Sequence, residues 1–296
     1  MSLRTGQEKW IVPVLFLLPA MLGLCVFRLY PIFLSVWESL FIERFGSGGG
    51  RIFVGLENYG LLLNDVVFWR SVRATAIMTV VINPVQIALA LGLALLLQRQ
   101  SRHIRLIRTL FLLPVGVALP IATVIWGLML NPNTGLINGI LAVFHIPPQP
   151  FLTSEDQALW AIVGIATWKG VAFWMLFLLA GLQDIPTSLY EAMRVDGANW
   201  WQRFRFLTLP MLRRTILFVL VADTAANFVL VAPMIILTQG GPRQSTNVLM
   251  YEAYRSGFQF QDFGRAMAVV AILTTISLLA IAAQVLLLGN RKWDSK

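Results

Sequence analysis

Long stretches without a charged side chain constrain this chain more than any other feature. One of them runs from Ala74 to Gln98 and is almost entirely apolar. A helix needs about 20 predominantly apolar residues to span a bilayer, and within lipid only helices and closed barrels satisfy the backbone polar groups. Because the stretches are long and do not alternate between apolar and polar residues, the sequence predicts transmembrane helices.

The pattern recurs along the whole chain and predicts an all-α, polytopic membrane protein with six transmembrane helices. The composition agrees, since 57% of the residues are hydrophobic and only 12% are charged, whereas a soluble domain carries about 25% charged residues. An ordinary soluble enzyme is therefore excluded. We expect residues 1–296 to form a single transmembrane domain, with helices at about 11–37, 70–98, 104–130, 159–182, 211–237 and 264–289.

Arginine and lysine are distributed unevenly between the predicted loops. Fourteen of them lie in the two termini and in the loops after the second and fourth helices, against seven in the remaining loops. Loops on the cytoplasmic side carry the excess of these residues, so both termini are predicted to be cytoplasmic. The net charge of +9 has the same origin, and no nucleic-acid partner is expected.

Sequence motifs for bond chemistry are missing. The four lysines are not followed by Ser or Thr, so the chain has no Walker A phosphate loop. His103 and His145 are far apart and belong to no zinc motif, and there is no Gly-x-Ser-x-Gly motif. We therefore expect no catalytic residues and no metal site, and the chain is not predicted to be an enzyme.

The cytoplasmic loop at 183–210, between the fourth and fifth helices, carries strong local signals. Pro186 suits the first turn of a helix and Gly197 suits its end. Asn199 can cap a second short helix, which Pro210 would limit. The sequence therefore predicts a helix, a tight turn and a second helix on the cytoplasmic side.

Two interpretations of this loop follow from its residue pattern. Trp200 and Trp201 suit an amphipathic helix at the lipid headgroups, whereas a mixed apolar and charged face can seat in a partner's groove. A sequence motif favours the partner. The loop contains Glu191-Ala192, Asp196-Gly197-Ala198, Phe204 and Leu209-Pro210. With these residues it resembles the EAA motif of the permease subunits of binding-protein-dependent ABC importers, with Met193 where the family usually has a second alanine.

The resemblance extends over nearly the whole chain and is strongest to the sugar-uptake branch of these permeases. The Gly-Gly-Pro element at 240–242 resembles the first of the two permeases in maltose-, trehalose- and glycerol-phosphate-type systems. The other matching segments are Tyr30-Pro31, 53–59, 126–138, 237–246 and 263–266.

Membership of this family would imply a type I ABC importer permease fold in the bacterial cytoplasmic (inner) membrane. The loop would then be a coupling helix that docks on a cytoplasmic ATPase subunit. The implied partners are a second homologous permease, two ATPase subunits and an external solute-binding protein, with ATP and Mg²⁺ bound by the ATPase subunits and no cofactor on this chain. The residues implied in coupling are Glu191, Ala192, Met193, Arg194, Asp196, Gly197 and Ala198.

Polar residues inside the predicted helices are candidates for the solute pathway, because isolated charges are costly in lipid. Asp223 either meets solute or pairs with a neighbouring helix or with the partner permease. Lys169 either meets solute or pairs with Asp223. Asn83 and Gln86 either bind solute hydroxyls or make interhelical hydrogen bonds. The complete candidate set is Asn83, Gln86, Trp126, Lys169, Trp174, Asp223 and Asn227.

The predicted function is a permease subunit of an ATP-driven importer, which moves a sugar or sugar-like solute from the binding protein into the cytoplasm. The alternative is an ion-coupled secondary transporter, for which Asp223 and Lys169 would be the only candidate ion pair. A membrane enzyme is disfavoured by the missing motifs. The solute itself is left open among a disaccharide, a glycerol-phosphate compound, a polyol and a sulfonated sugar.

Overall fold

The computed structural model describes residues 8–43, 50–99 and 101–289. Within these ranges the regular structure is helical apart from one antiparallel hairpin, in which β1 (Phe41–Glu43) pairs with β2 (Arg51–Phe53). The predicted all-α class is confirmed. Several residues that entered the charge count lie outside the described residues, namely Arg4, Arg44, Arg291, Lys292 and Lys296.

The described helices vary in length from short connecting turns to segments long enough to cross a bilayer. In chain order they are α1 (Glu8–Leu24), α2 (Tyr30–Glu38), α3 (Glu57–Leu63), α4 (Val66–Leu97), α5 (Arg102–Gly116), α6 (Leu119–Met129), α7 (Leu136–Val143), α8 (Ala158–Gln183), α9 (Thr187–Val195), α10 (Trp200–Arg203), α11 (Leu209–Met211), α12 (Arg213–Phe228), α13 (Leu249–Tyr254) and α14 (Phe263–Gly289).

Four helical stretches among the described residues are long and apolar enough to cross a membrane. They are α4, α8, α14 and Pro13–Glu38, which runs from α1 through a π-helical turn at Cys25–Leu29 into α2. They coincide with the first, second, fourth and sixth predicted helices. The pair α5 and α6 makes a fifth if it is one span, but the two helices meet at a 100° bend. The count of six transmembrane helices and the cytoplasmic termini therefore stay predictions.

Proline accounts for both departures from the predicted helices. The third predicted helix, 104–130, breaks between Gly116 and Leu119, because Pro120 has no N–H to donate to the Gly116 carbonyl. The fifth, 211–237, ends at Phe228, since Pro233 cannot donate to the Val229 carbonyl. The chain turns there and then resumes as a π-helical turn at Met234–Thr238.

The chain divides into two compact units. The first comprises the described residues among 1–65 together with 253–272. Its hairpin is fixed to α3 by one buried side chain, because Asn58 Nδ2 donates to the carbonyls of Ser39 and Phe41 at 2.7 and 3.1 Å. These bonds satisfy the carbonyl of the first residue of β1 and that of Ser39 in the turn before it.

The second unit comprises the described residues among 66–252 and 273–296 and is built around α4 and α8. Ala90 and Ala94 of α4 are fully buried, and such small residues let two helix backbones approach closely. Side chains of α8 and α12 complete the same core. They include Val171, Trp174, Met175, Leu178, Leu179, Leu182 and Val219.

The long connection between α6 and α8 is ordered by side-chain amides. Asn138 of α7 donates to the carbonyls of Pro132 and Gln149, both at 2.9 Å, and accepts the Gln149 N–H at 2.9 Å. Gln157 Nε2 donates to Gln149 Oε1 at 2.8 Å. These bonds satisfy polar groups around the Pro-Pro-Gln-Pro stretch at 147–150, where the three prolines have no N–H to donate.

Candidate functional site

The loop after α8 forms the predicted helix and turn. Helix α9 begins directly after Pro186, and Gly197 follows its end with a φ of +76°. That backbone conformation is open to glycine at no steric cost. The Ala198 N–H donates to the Met193 carbonyl at 2.9 Å and the Gly197 N–H to the Arg194 carbonyl at 3.0 Å. The turn therefore satisfies carbonyls that the helix end leaves unpaired.

The second helix is capped as predicted but does not end at Pro210. Asn199 Oδ1 accepts the Gln202 N–H at 2.9 Å, and Gln202 Oε1 accepts the Asn199 N–H at 2.7 Å, which is a capping box. Helical structure then continues through a π-helical turn at Phe204–Thr208 into α11, which contains Pro210. The prediction that Pro210 limits this helix is wrong, because a proline is tolerated in the first turn of a helical segment.

The loop is exposed on one side and fixed on the other. The Tyr190 hydroxyl is 2.9 Å from the hydroxyl of buried Thr208, and Ile185 is buried in the core of the second unit. Val195, in contrast, is 88% exposed. The residues implied in coupling lie on this helix and turn: Glu191, Ala192, Arg194, Asp196 and Gly197 are exposed, and Met193 and Ala198 are half-buried.

Within the second unit, Asp223 of α12 is 2% exposed and lies against α8. Its Oδ1 accepts a hydrogen bond of 2.7 Å from Trp174 Nε1. Its Oδ2 is buried and has no hydrogen-bond partner among the described residues. An acceptor without a donor in this setting is costly, so this oxygen is a candidate contact for a polar solute.

A second polar contact joins α4 to α12. Asn83 Nδ2 donates to Thr224 Oγ1 at 2.6 Å, and Asn83 Oδ1 accepts from Asn227 Nδ2 at 2.9 Å. Gln284 of α14 also donates to Thr224 Oγ1, at 2.8 Å. The interhelical alternative for Asn83 is therefore the arrangement that the structure contains.

Gln86, one turn after Asn83 on α4, bonds to α8. Its Nε2 donates to the Ala166 carbonyl at 2.9 Å, while its Oε1 is buried without a partner in the described ranges. Gly170 leaves the space for this side chain, because a Cβ there would lie 2.4 Å from Gln86 Nε2. The amide and the glycine therefore form one packing unit between the two helices.

Lys169 does not pair with Asp223. Its Nζ donates to two backbone carbonyls at the break between α5 and α6, Pro114 at 2.9 Å and Val117 at 2.6 Å. Next to it on α8, Trp168 packs edge to face against Trp126 of α6, with ring centroids 5.6 Å apart. The hydrogen bonds of Lys169 and the ring contact between Trp126 and Trp168 thus do not involve Asp223 or Asn83.

Three polar residues of this region were not predicted as candidates. Thr224 bridges Asn83 and Gln284, and Thr167 is buried on α8 with a hydroxyl that has no partner in the described part of the chain. The signal that could have found Gln284 is its amide in the otherwise apolar second half of α14. In the described ranges no group of three or more His, Cys, Asp or Glu residues could hold a metal ion.

Comparison with known proteins identifies the family. Residues 10–291 match the family model described as "Binding-protein-dependent transport system inner membrane component". The chain belongs to this family. A member of it is an inner-membrane permease and not a catalytic subunit.

Relatives of this permease match it along nearly their whole length. It is 34% identical over 276 residues to the sn-glycerol-3-phosphate transport system permease protein UgpA of Agrobacterium fabrum, covering 93% of each chain. It is 35% identical over 284 residues to UgpA of Yersinia enterocolitica, covering 95% of each chain. The predicted resemblance to importer permeases is confirmed.

Solved structures agree on the fold of the permease. A bacterial ABC transporter involved in the import of the acidic polysaccharide alginate superposes with a TM-score of 0.79 at 22% identity, covering 97% of both chains. The alginate transporter in complex with an alginate pentasaccharide-bound periplasmic protein gives 0.80 at 21% identity, covering 94% of this chain and 93% of that one. The predicted type I importer permease fold is therefore confirmed.

Proposed function

We propose that the chain is the membrane-spanning permease of an ATP-driven importer for a sugar-like solute, and that a separate ATPase subunit binds ATP and Mg²⁺. The observation that carries this proposal is the EAA-type loop, in which Glu191 and Arg194 are exposed on α9 while Tyr190 of the same helix contacts buried Thr208. An ion-coupled transporter would not need such a loop. Its only candidate ion pair, Asp223 and Lys169, makes other contacts.

The loop connects mechanically to the polar cluster. The Tyr190–Thr208 contact ties α9 to the π-helical turn, which leads through α11 into α12. Helix α12 carries Asp223 and Asn227. A displacement of α9 by a moving ATPase dimer would therefore be transmitted along α12 to the residues that join it to α4 and α8. Such shifts of packed helices are an ordinary form of switching.

The polar cluster is proposed to contact solute once the helices separate. In the present conformation its polar atoms are buried, and Asp223 Oδ2 and Gln86 Oε1 have no partners among the described residues. Hydroxyl groups of a solute would supply the donors that these acceptors lack. Asn83, Asn227 and Trp174 lie beside them, and Trp126 lines the separate contact with Trp168.

The class of solute is proposed from the relatives. The two UgpA relatives belong to sn-glycerol-3-phosphate transport systems, and the two structural neighbours are transporters of the polysaccharide alginate. Both are rich in oxygen donors and acceptors, which suits a pathway with unpaired acceptors. A solute-binding protein, a second homologous permease and two ATPase subunits are the proposed partners.

Co-purification tests the docking assignment. We expect Glu191→Lys to abolish co-purification of the ATPase subunit while the chain still inserts, because the charge on the docking helix is reversed. Glu57→Lys, the same change at an exposed residue of α3, is the matched control and should retain the ATPase. Equal recovery of the ATPase with both variants would show that α9 is not the docking site.

Uptake by cells tests the solute class. Cells that lack their own transport systems and express the complete transporter should accumulate radiolabelled sn-glycerol-3-phosphate or a labelled disaccharide. Asp223→Ala should lower the uptake rate more than it lowers the amount of assembled transporter. An unchanged uptake rate would remove Asp223 from the pathway.

A further inference from the structure

The break between α5 and α6 leaves backbone carbonyls without helical partners. The last four carbonyls of any α-helix lack intrahelical donors, and Pro114 lies in the last turn of α5, with Val117 directly after it. The N–H groups that would continue the ladder lie beyond the break, on a helix that departs at 100°. In a span surrounded by lipid, such carbonyls need another donor.

Lys169 is that donor. Its Nζ lies 2.9 Å from the Pro114 carbonyl oxygen and 2.6 Å from the Val117 carbonyl oxygen, and it reaches them from the middle of α8. A cation at a helix C-terminus also interacts favourably with the helix dipole. Two bonds to carbonyls from one ammonium group fix the end of α5 to α8.

The other side of the break is held by the preceding residue. Trp168 packs edge to face against Trp126 of α6, at 5.6 Å between centroids and 74° between ring planes. Consecutive residues of α8 therefore contact the end of α5 and the body of α6 separately. Two adjacent residues of α8 therefore contact both helices that meet at the bend.

We propose that Lys169 is a positioning residue that fixes the bend of the third span by capping α5, with Trp168 holding α6 in place. The proposal assigns the lysine a role toward the backbone of this chain and not toward solute. It does not depend on the proposed function, since it concerns the angle between two helices. Without the ammonium group, the two carbonyls lose their donor and α5 is free to change its angle to α6.

The distance between one residue of α5 and one residue of α6 reports the angle between the two helices. Leu106 on α5 and Leu128 on α6 are both exposed. Their Cα atoms would be about 33 Å apart along a straight helix, whereas a 100° bend reduces this distance to about 21 Å. Spin labels at these two positions, in a Cys25→Ser background that removes the only native cysteine, report the difference by pulsed electron paramagnetic resonance of the full-length chain in lipid nanodiscs.

Lys169→Met keeps the length of the side chain and removes the donor. We expect its distance distribution to broaden toward the longer, straighter separation. Lys169→Arg keeps donors for carbonyls and should restore the distribution of the unmodified chain. Arg108→Met is the matched control, because Arg108 also donates to a helix-end carbonyl, that of Leu97 at the end of α4, which is away from the break. The distance distribution of this variant should not change.

An unchanged distribution in Lys169→Met overturns the proposal. The proposal is also overturned if Lys169→Arg and Arg108→Met shift as far as Lys169→Met, because the effect would then not depend on the donor at the break. Should the methionine variant fail to insert, Lys169→Gln takes its place. Its shorter amide cannot serve both carbonyls, so a shift toward longer distances supports the proposal and an unshifted distribution contradicts it.

Discussion

Trp174 Nε1 and Asp223 Oδ1 lie 2.7 Å apart and join α8 to α12 through a buried hydrogen bond. Trp174 is 6% and Asp223 2% exposed. The bond gives a buried carboxylate a donor that water cannot supply, and it places an aromatic side chain in a structural role as well as beside the candidate pathway. A buried acceptor that loses such a donor carries the cost of its desolvation.

Removal of the indole donor should destabilise the chain. We expect Trp174→Phe to lower the stability by about 1–3 kcal/mol, because Asp223 would lose its donor while staying buried. Thermal unfolding of the purified protein in detergent measures the loss. Trp160→Phe, at an exposed position of the same helix, is the control and should leave the transition unchanged. An equal effect of the two substitutions would contradict the role of the bond.

The contacts of Asn83 predict coupled mutational effects. Asn83→Ala and Thr224→Ala should each destabilise the chain, since Asn83 Nδ2 donates to Thr224 Oγ1 at 2.6 Å. The double variant should lose less than the sum of the two, by roughly 0.5–3 kcal/mol, as is found for residues in contact. Strict additivity in the same unfolding measurement would show that the two side chains do not interact.

Two glycines of α8 should respond differently to alanine. Gly170→Ala places a Cβ 2.4 Å from Gln86 Nε2, whose hydrogen bond to the Ala166 carbonyl would have to move. Gly164 has no atom within 4 Å of the added Cβ, so Gly164→Ala should be neutral or stabilising by roughly 0.5–1 kcal/mol, the usual gain within a helix. The prediction fails if Gly170→Ala raises the unfolding temperature as much as Gly164→Ala does.

Because Gly197 has a positive φ, substitutions at this residue should differ in how strongly they destabilise the turn. Gly197→Val should strain the turn by at least about 1–2 kcal/mol and reduce co-purification of the ATPase subunit. Gly197→Asn should be tolerated, because asparagine adopts the left-handed conformation more readily. No atom lies within 4 Å of a Cβ added here, so the effect comes from the backbone alone. Full ATPase recovery with the valine variant would show that the shape of the turn does not matter for docking.

Local signals made the loop around α9 predictable. Pro186, Gly197 and the Asn199 cap each act within a few residues, and the structure places all three as predicted. The prediction that Pro210 limits the second helix was wrong, because the helical structure continues from the preceding π-helical turn. A π-helical turn depends on packing between segments, which the sequence of the loop does not reveal.

Contacts between distant residues were predictable only in part. Polar side chains in apolar stretches identified Asp223 and Asn83, since such residues rarely lack a partner in lipid. Their partners did not follow from the sequence, because pairing by opposite charge suggested Lys169 for Asp223. The structure instead gives Asp223 an indole donor and Lys169 two backbone carbonyls. Those carbonyls became available only through a helix break that hydropathy does not report.

Transport by purified components tests the central claim most directly. Proteoliposomes that contain the complete transporter, with solute-binding protein outside and ATP inside, should accumulate labelled solute. Uptake should stop when ATP is replaced by a non-hydrolysable analogue or when the ATPase subunits are left out, whatever ion gradient is imposed. Uptake that persists without the ATPase subunits and collapses with the ion gradient would contradict the account and identify the chain as a secondary transporter.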